Sequence, residues 1–444
     1  MNTRETIEVQ SAETKQLKGA VQQDQNKSLM EKVVERENLK KALKRVEQNK
    51  GAPGIDGMQT NELLGYLKEN WDNIKRMLID GTYKPNPVRR IEIPKPDGGV
   101  RELGIPTVLD RFIQQAILQI LTPIFEPIFS PHSYGFRPGK SARQAVKQAQ
   151  QYIQDGRNWV VDMDLEKFFD KVNHDILMGK LAKEISDSRL LKVIRKYLQA
   201  GVMINGCCMT NEEGTPQGGP LSPLLANIML NDLDKELEKR GHKFVRYADD
   251  SNTYVSSKRA GERVYESIKS FIEKHLKLKV NETKSAVGRP GKRKFLGFSV
   301  TYEKKARLRL APKTIIKFKD KIRKLTQRSR SESIHEKIIK LNEYMIGWCG
   351  YFRIAEAKNI FQKLDEWIRR RLRMCALKQW KLCKTKLRNL VAIGLPEKWA
   401  GRIAFSRKKY WRLANTPQIN KALGIAYWQK QGLVSLVERC SELG

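Results

Sequence analysis

Acid is what this sequence is short of. Its 444 residues hold 49 Asp and Glu against 85 Lys and Arg, a formal net charge of +36 at pH 7. That balance excludes an ordinary metabolic enzyme and implies a polyanionic partner, most simply nucleic acid. Long apolar runs are also missing. No stretch reaches the roughly 18 residues of a membrane-spanning helix, and the first thirty residues lack the apolar core of a signal peptide. The expectation is a cytoplasmic chain with no membrane partner. Six cysteines form no C-x-x-C, and five scattered histidines form no cluster at zinc spacing. This excludes a zinc or disulfide framework and predicts reduced, packed thiols. Gly and Pro are not in excess, while 40% of residues are hydrophobic and 8% aromatic, which excludes a disordered basic tail. The length suffices for about two to four domains with real cores.

Residues 1–27 are polar and aperiodic and read as a loose tail. Asn38 is placed to cap a helix whose Leu39, Ala42, Leu43 and Val46 recur at helical spacing up to Asn49. Arg89–Pro94 reads as a strand, Pro96-Asp97-Gly98-Gly99 as a hairpin turn, and Arg101 lies on the returning strand. A helix is expected from about Leu109 to Leu121, a strand over Trp159–Leu165, and a helix over Pro223–Leu237 capped by Ser222. Phe244–Val255 reads as an apolar hairpin interrupted by Asp249-Asp250. After Pro312 the pattern is helical throughout.

Strand alternation puts Asp162 and Asp164 on one face, near a strand end. Asp249 and Asp250 form a second acidic pair where apolar strands should meet in a tight turn. Charges at such a place are costly unless a cation meets them. If the strands adjoin, Asp164, Asp249 and Asp250 converge on hard divalent ions of the kind that serve in-line phosphoryl transfer. Read alone, each pair is more simply a solvated strand end or an arginine partner. The context is what changes the reading. In order along the chain stand Asp164-x-x-x-Phe168-Phe169-Asp170, Thr215-Pro-Gln217-Gly218-Gly219-Pro-Leu-Ser-Pro223, Tyr247-Ala-Asp249-Asp250, Asn281-x-x-Lys284 and Phe295-Leu-Gly297-Phe298. This series resembles the palm of reverse transcriptases, and the chain resembles the reverse transcriptase/maturases encoded by group II introns.

The resemblance implies an α+β right-hand polymerase: fingers and palm with an antiparallel sheet, a helical thumb, and a small helical C-terminal domain. The expected bounds are a tail at 1–27, an N-terminal helical extension at 28–80, fingers and palm at 81–300, the thumb or maturase domain at 301–385, and a DNA-binding domain at 386–444. It makes Asp164, Asp249 and Asp250 the ligands of two Mg²⁺ ions, with Mn²⁺ as a substitute, and leaves Asp162 without a catalytic counterpart. Phe169 aligns with the aromatic gate that rejects a 2′-hydroxyl and so favours dNTPs; a core phenylalanine is the alternative. Gln217, Gly218 and Gly219 would lie against the nascent base pair, or form a plain turn before a helix. Lys284 would protonate the leaving pyrophosphate, or sit exposed. Lys95 and Arg101 would clasp the triphosphate, Arg137 would lie near the template, and Phe295 and Gly297 would belong to the primer grip. Where the family usually has a larger or softer residue after the Asp pair, this chain has Ser251. Gly135–Ser141 looks like a phosphate-binding loop but is one residue short of that motif.

Lys313, Lys317, Lys321 and Lys324 make one cationic ridge on the first helix after Pro312. Like charges at this spacing repel, so a phosphate backbone is the expected counter-charge. A later helix repeats the theme with Arg369, Arg370, Arg371 and Arg373, and from Lys384 onward basic residues interleave with Trp399, Phe405, Tyr410, Trp411, Tyr427 and Trp428, which either stack on bases or form a small core. The implied partners are an RNA template with a DNA or RNA primer, dNTPs, target DNA and the parent intron RNA. With no endonuclease expected after residue 444, the resemblance leans to the bacterial class C lineage. The alternatives are a retron or diversity-generating reverse transcriptase, or a splicing cofactor whose polymerase has decayed.

Overall fold

The computed structural model describes residues 28–94, 100–204, 207–209, 214, 218–303 and 305–442. It divides into two compact units, one reaching to Ala149 and resuming over Arg157–Gly288, the other made of Gln150–Gly156 and the chain from Arg289 onward.

The first unit opens with helices α1 (Leu29–Val33), α2 (Arg36–Asn49) and α3 (Leu63–Ile79). Asn38 does not cap α2. The helix starts two residues earlier, at Arg36, and the Asn38 amide turns inward to donate to the Val33 and Ala116 carbonyls. Strands β1 (Val88–Pro94) and β2 (Val100–Ile105) pair antiparallel as expected, and β1 also meets β4 (Val202–Ile204) in parallel, giving a sheet of order β2-β1-β4-β5 with β5 at Cys207–Met209. Helix α4 (Val108–Phe125), capped by the Thr107 hydroxyl, runs past Leu121 and through Pro123 because Phe125 is drawn into the core.

Helix α5 (Ala142–Gln154) precedes β3 (Trp159–Met163), then come α6 (His174–Glu184), α7 (Ser188–Gln199) and α8 (Ser222–Lys239). Ser222 is the first residue of α8 rather than its cap, and Pro223 still falls in the first turn, where its missing N–H costs nothing. Strands β6 (Lys243–Tyr247), β7 (Asp250–Val255) and β8 (Ala286–Gly288) join β3 in a second sheet of order β6-β7-β3-β8, with α9 (Lys258–Phe271) between β7 and β8 in sequence. Val161, Met163, Phe168, Phe244 and the apolar side of α8 share one core.

The second unit holds a two-stranded sheet, β9 (Phe298–Val300) with β10 (Leu308–Leu310), and the helices α10 (Pro312–Leu325), α11 (Ile334–Phe352) and α12 (Lys358–Gln379). Shorter helices follow, ending in Leu436–Glu442. Phe318 and Ile322 are buried, and Phe318 packs on Trp348 with ring centroids 4.4 Å apart. Trp428 is a core residue at 1% exposure, whereas Phe405 is 65% exposed. Cys349, Cys375 and Cys440 are buried free thiols.

Candidate active site

The register of two antiparallel strands sets which residues stand at one end of the second sheet. β3 and β7 pair antiparallel, with Asp162 opposite Asn252 and Met163 opposite Ser251. The ladder ends there, with Asp164 the next residue after β3 and Asp250 the first residue of β7. β6 and β7 pair with Tyr247 opposite Asp250, so Ala248 and Asp249 are the two central residues of the turn. Ala248 has φ 57° and Asp249 is not in the left-handed region, the pattern of a II′ hairpin turn, where glycine is the usual first residue. Asp249 is half-buried and Asp250 exposed.

Asp164 is held by its backbone. Asn281 N–H donates to the Asp164 carbonyl at 2.8 Å. The Ser285 hydroxyl accepts from Asp164 N–H at 2.9 Å and lies 3.2 Å from the Asp164 carbonyl. The segment 281–285 therefore fixes the strand end, and it also carries Lys284, whose Nζ is 3.7 Å from Asp164 Oδ1. Asp162 has a structural partner instead: in the amide orientation that suits its neighbours, Asn252 donates to Asp162 Oδ1 at 3.0 Å.

Among the described residues, no group of three or more His, Cys, Asp or Glu is gathered closely enough to hold a metal ion alone. The donor set nevertheless suits Mg²⁺, which takes one or two carboxylates and completes its shell with water and substrate phosphates rather than using an all-protein cage.

Phe168 is core, and Phe169 beside it is half-buried, edge-on to it with centroids 5.1 Å apart. Gly214 sits tightly here: a Cβ on it would fall 2.9 Å from the Phe169 carbonyl oxygen, Gly214 N–H donates to Val172 O, and His174 Nε2 is 2.6 Å from Gly214 O. Gln217 lies outside the described residues, as do Lys95 and the hairpin turn at 96–99; Arg101 is described by its backbone alone, opposite Ile93. Gly218 and Gly219 are close to protein: Cβ atoms there would meet the Gly104 carbonyl at 2.5 Å and Gln114 Oε1 at 2.3 Å.

Arg137 faces inward. Its guanidinium pairs with Glu126, donates to the Ser130 and Ser133 carbonyls, and leaves the side chain 5% exposed. In the second unit, Phe295 and Phe298 exchange backbone hydrogen bonds across Leu296 and Gly297, both with positive φ, and Tyr351 Oη donates to Leu296 O. Gly297 is required there, because a Cβ would sit 3.1 Å from the Phe352 ring.

Lys313, Lys317, Lys321 and Lys324 are all exposed on α10, opposite buried Phe318 and Ile322. Arg370 lies over the Trp411 ring at 4.0 Å, and Arg369, Arg370 and Arg373 help line a cavity of about 450 Å³ with Lys363 and Asn420. Burial together with the nearby Arg369 and Arg370 charges pulls Arg373 down to about 10.

Asn281 stood in the Asn281-x-x-Lys284 motif, whereas Ser285, His174 and Gly214 escaped the sequence reading. Only Gly214 carried a visible signal, a glycine leading into the Thr215–Pro223 motif.

Comparison with known proteins defines the class. The family model for reverse transcriptase (RNA-dependent DNA polymerase) matches residues 93–300, and the group II intron maturase-specific domain matches 315–391. Protein YkfC of Escherichia coli K12 is 33% identical over 300 residues, 58% of this chain and 78% of that protein. Group II intron-encoded protein LtrA of Lactococcus lactis subsp. cremoris is 29% identical over 407 residues, 70% of this chain and 68% of that protein. A solved partial Cas6-RT-Cas1–Cas2 complex matches 55% of this chain and 42% of its own at TM-score 0.36 and 27% identity, a superposition too low to carry an argument.

The chain belongs to the group II intron reverse transcriptase/maturase family. It is an RNA-directed DNA polymerase with a role in group II intron splicing and mobility, and the maturase match sets it apart from the retron and diversity-generating alternatives. The reverse transcriptase family uses divalent metal ions. No described helix is long and apolar enough to cross a membrane.

Proposed function

We propose that polymerisation runs at the strand end bearing Asp164, Asp249 and Asp250, with two Mg²⁺ ions, or Mn²⁺, held by these carboxylates. The observation that supports this most is the β3–β7 register: its ladder ends with Met163 opposite Ser251, the residues next to Asp164 and Asp250, and Asp249 is in the adjoining turn. When bound, such ions neutralise charge on the triphosphate and activate the primer 3′-oxygen. The chain's own groups do the rest. Ser285 and Asn281 keep the Asp164 backbone fixed. Lys284, an ammonium within reach of the site, gives a proton from Nζ to the leaving pyrophosphate oxygen. The Phe169 ring excludes a 2′-hydroxyl, so dNTPs are the substrates, and Lys95, Arg101 and Gln217 contact the triphosphate and the nascent pair.

Phe295 and Gly297 position the primer on the RNA template. The α10 lysines, with Arg369 and Arg370, bind the phosphates of template–primer, target DNA or the parent intron RNA in the cytoplasm. Arg137 is left out of this set, because its donors are engaged by protein. Primer extension on an RNA template with dNTPs and Mg²⁺ tests the reading: wild type extends, and Asp249→Asn, which removes one ligand charge, makes no cDNA. Near wild-type synthesis by that variant would refute the assignment, and an inactive wild type would identify a decayed polymerase.

A further inference from the structure

The turn that carries Asp249 is strained and yet well anchored. Ala248 adopts φ 57°, a conformation that a residue with a Cβ keeps only when its surroundings impose it. The imposing group is Arg246, on β6 two residues before. Its side chain is fully buried, at 0% exposure. Nε and Nη2 donate to the two oxygens of Asp234 at 2.7 and 2.6 Å. Nη1 donates to Asn227 Oδ1 at 3.0 Å and to the Ala248 carbonyl at 2.9 Å. Asn227 Nδ2 in turn donates to the Gly135 carbonyl at 2.9 Å. Gly135 is pressed against the turn, so that a Cβ there would lie 2.3 Å from Ala248 N. The backbone of β6 is fastened at the same point, with Arg246 N–H donating to His132 O and Tyr134 N–H to Arg246 O.

Stability alone is a poor reason for this arrangement. A buried ion pair loses so much hydration that well-packed apolar residues of like volume often serve as well; burial indeed pushes the Asp234 carboxyl upward, against the pull of Arg246. What apolar residues could not supply is a donor for the Ala248 carbonyl. We propose that Arg246, held by Asp234 and Asn227, is a positioning residue that sets the Ala248–Asp249 turn and thereby the affinity of the site for its divalent ions. This rests on the reading of Asp249 as a metal ligand.

Arg246→Lys keeps the charge opposite Asp234 but cannot serve two carboxylate oxygens, Asn227 and the Ala248 carbonyl together, because an ammonium lacks the planar fork. In primer extension titrated with Mg²⁺, this variant should need roughly 10-fold more Mg²⁺ for half-maximal rate, the usual effect of losing an outer partner of a metal ligand. Its affinity for template–primer in the absence of Mg²⁺ should stay that of the wild type. Adding Ala248→Gly should move the Mg²⁺ midpoint back, since glycine takes a positive φ without steric cost. A folded Arg246→Lys protein with a wild-type Mg²⁺ midpoint overturns the proposal. So does a loss of rate that neither Mg²⁺ nor Ala248→Gly changes, which marks a merely structural pair. If Arg246→Lys does not fold, Asn227→Ser takes its place, with the same shift expected and the same results overturning it. Asp249→Asn run alongside separates the two readings: its activity would remove the ligand assignment, whereas its inactivity beside a normal Arg246→Lys would remove only the positioning role.

Discussion

Phe169 shows what one residue contributes and what a sequence says about it. The resemblance makes Phe169 the gate, with a core phenylalanine as the alternative, and the half-buried ring has features of both: one edge meets Phe168, while its backbone abuts Gly214. Phe169→Ala removes the ring without touching the Asp164 clamp. Competing dNTP and rNTP incorporation should then show a higher rNTP fraction than wild type, and an unchanged ratio would make the ring only a packing element. At this scale, residues whose chemistry is local were legible and their fasteners were not. Asp164, Asp249 and Asp250 stood out because charge in apolar strands needs a reason. Ser285 did not, since its partner is 121 residues away in sequence and a serine after a lysine carries no pattern. Arg137 misled for a related reason: an arginine in a Gly/Pro-rich loop looks available for phosphate, and only the folded chain reveals Glu126 and two carbonyls around it.

Elements were legible where periodicity was long. The helices after Pro312 and the hairpin around Asp249-Asp250 appear close to where the pattern placed them, whereas ends shifted wherever tertiary burial outweighed a local signal, as at Asn38 and Pro123. Helix α10 is the element whose sequence makes the sharpest claim. Its four lysines project away from Phe318 and Ile322, and Asp320, an acid on the same helix, pairs with Arg323. Replacing Lys313, Lys317, Lys321 and Lys324 together with Ala should weaken nucleic-acid binding and flatten the plot of log K against log salt by about 0.7 to 0.9 for each phosphate that is no longer neutralised. The apolar face is untouched, so the melting temperature should hold. A salt slope equal to wild type would mean that the ridge meets only water.

For the whole molecule, the charge of +36 and the small size of the carboxylate site point to different demands. Chemistry needs a few oxygens at one strand end, whereas a large folded RNA must be met over a wide basic surface, to which we propose that the α10 ridge, Arg369 and Arg370 contribute. The two demands fall on different side chains, so they should separate by mutation. Asp249→Asn keeps the shape of a side chain in a turn anchored by Arg246 and leaves every surface lysine in place. At one fixed salt and Mg²⁺ concentration, because both govern RNA folding and phosphate binding, the variant should bind the parent intron RNA with wild-type affinity and support its splicing while making no cDNA. Filter binding, a splicing time course and primer extension on the same preparation read the three quantities. If the folded variant loses intron binding and splicing together with synthesis, the carboxylates and their ions belong to the intron interface, and one surface serves both tasks.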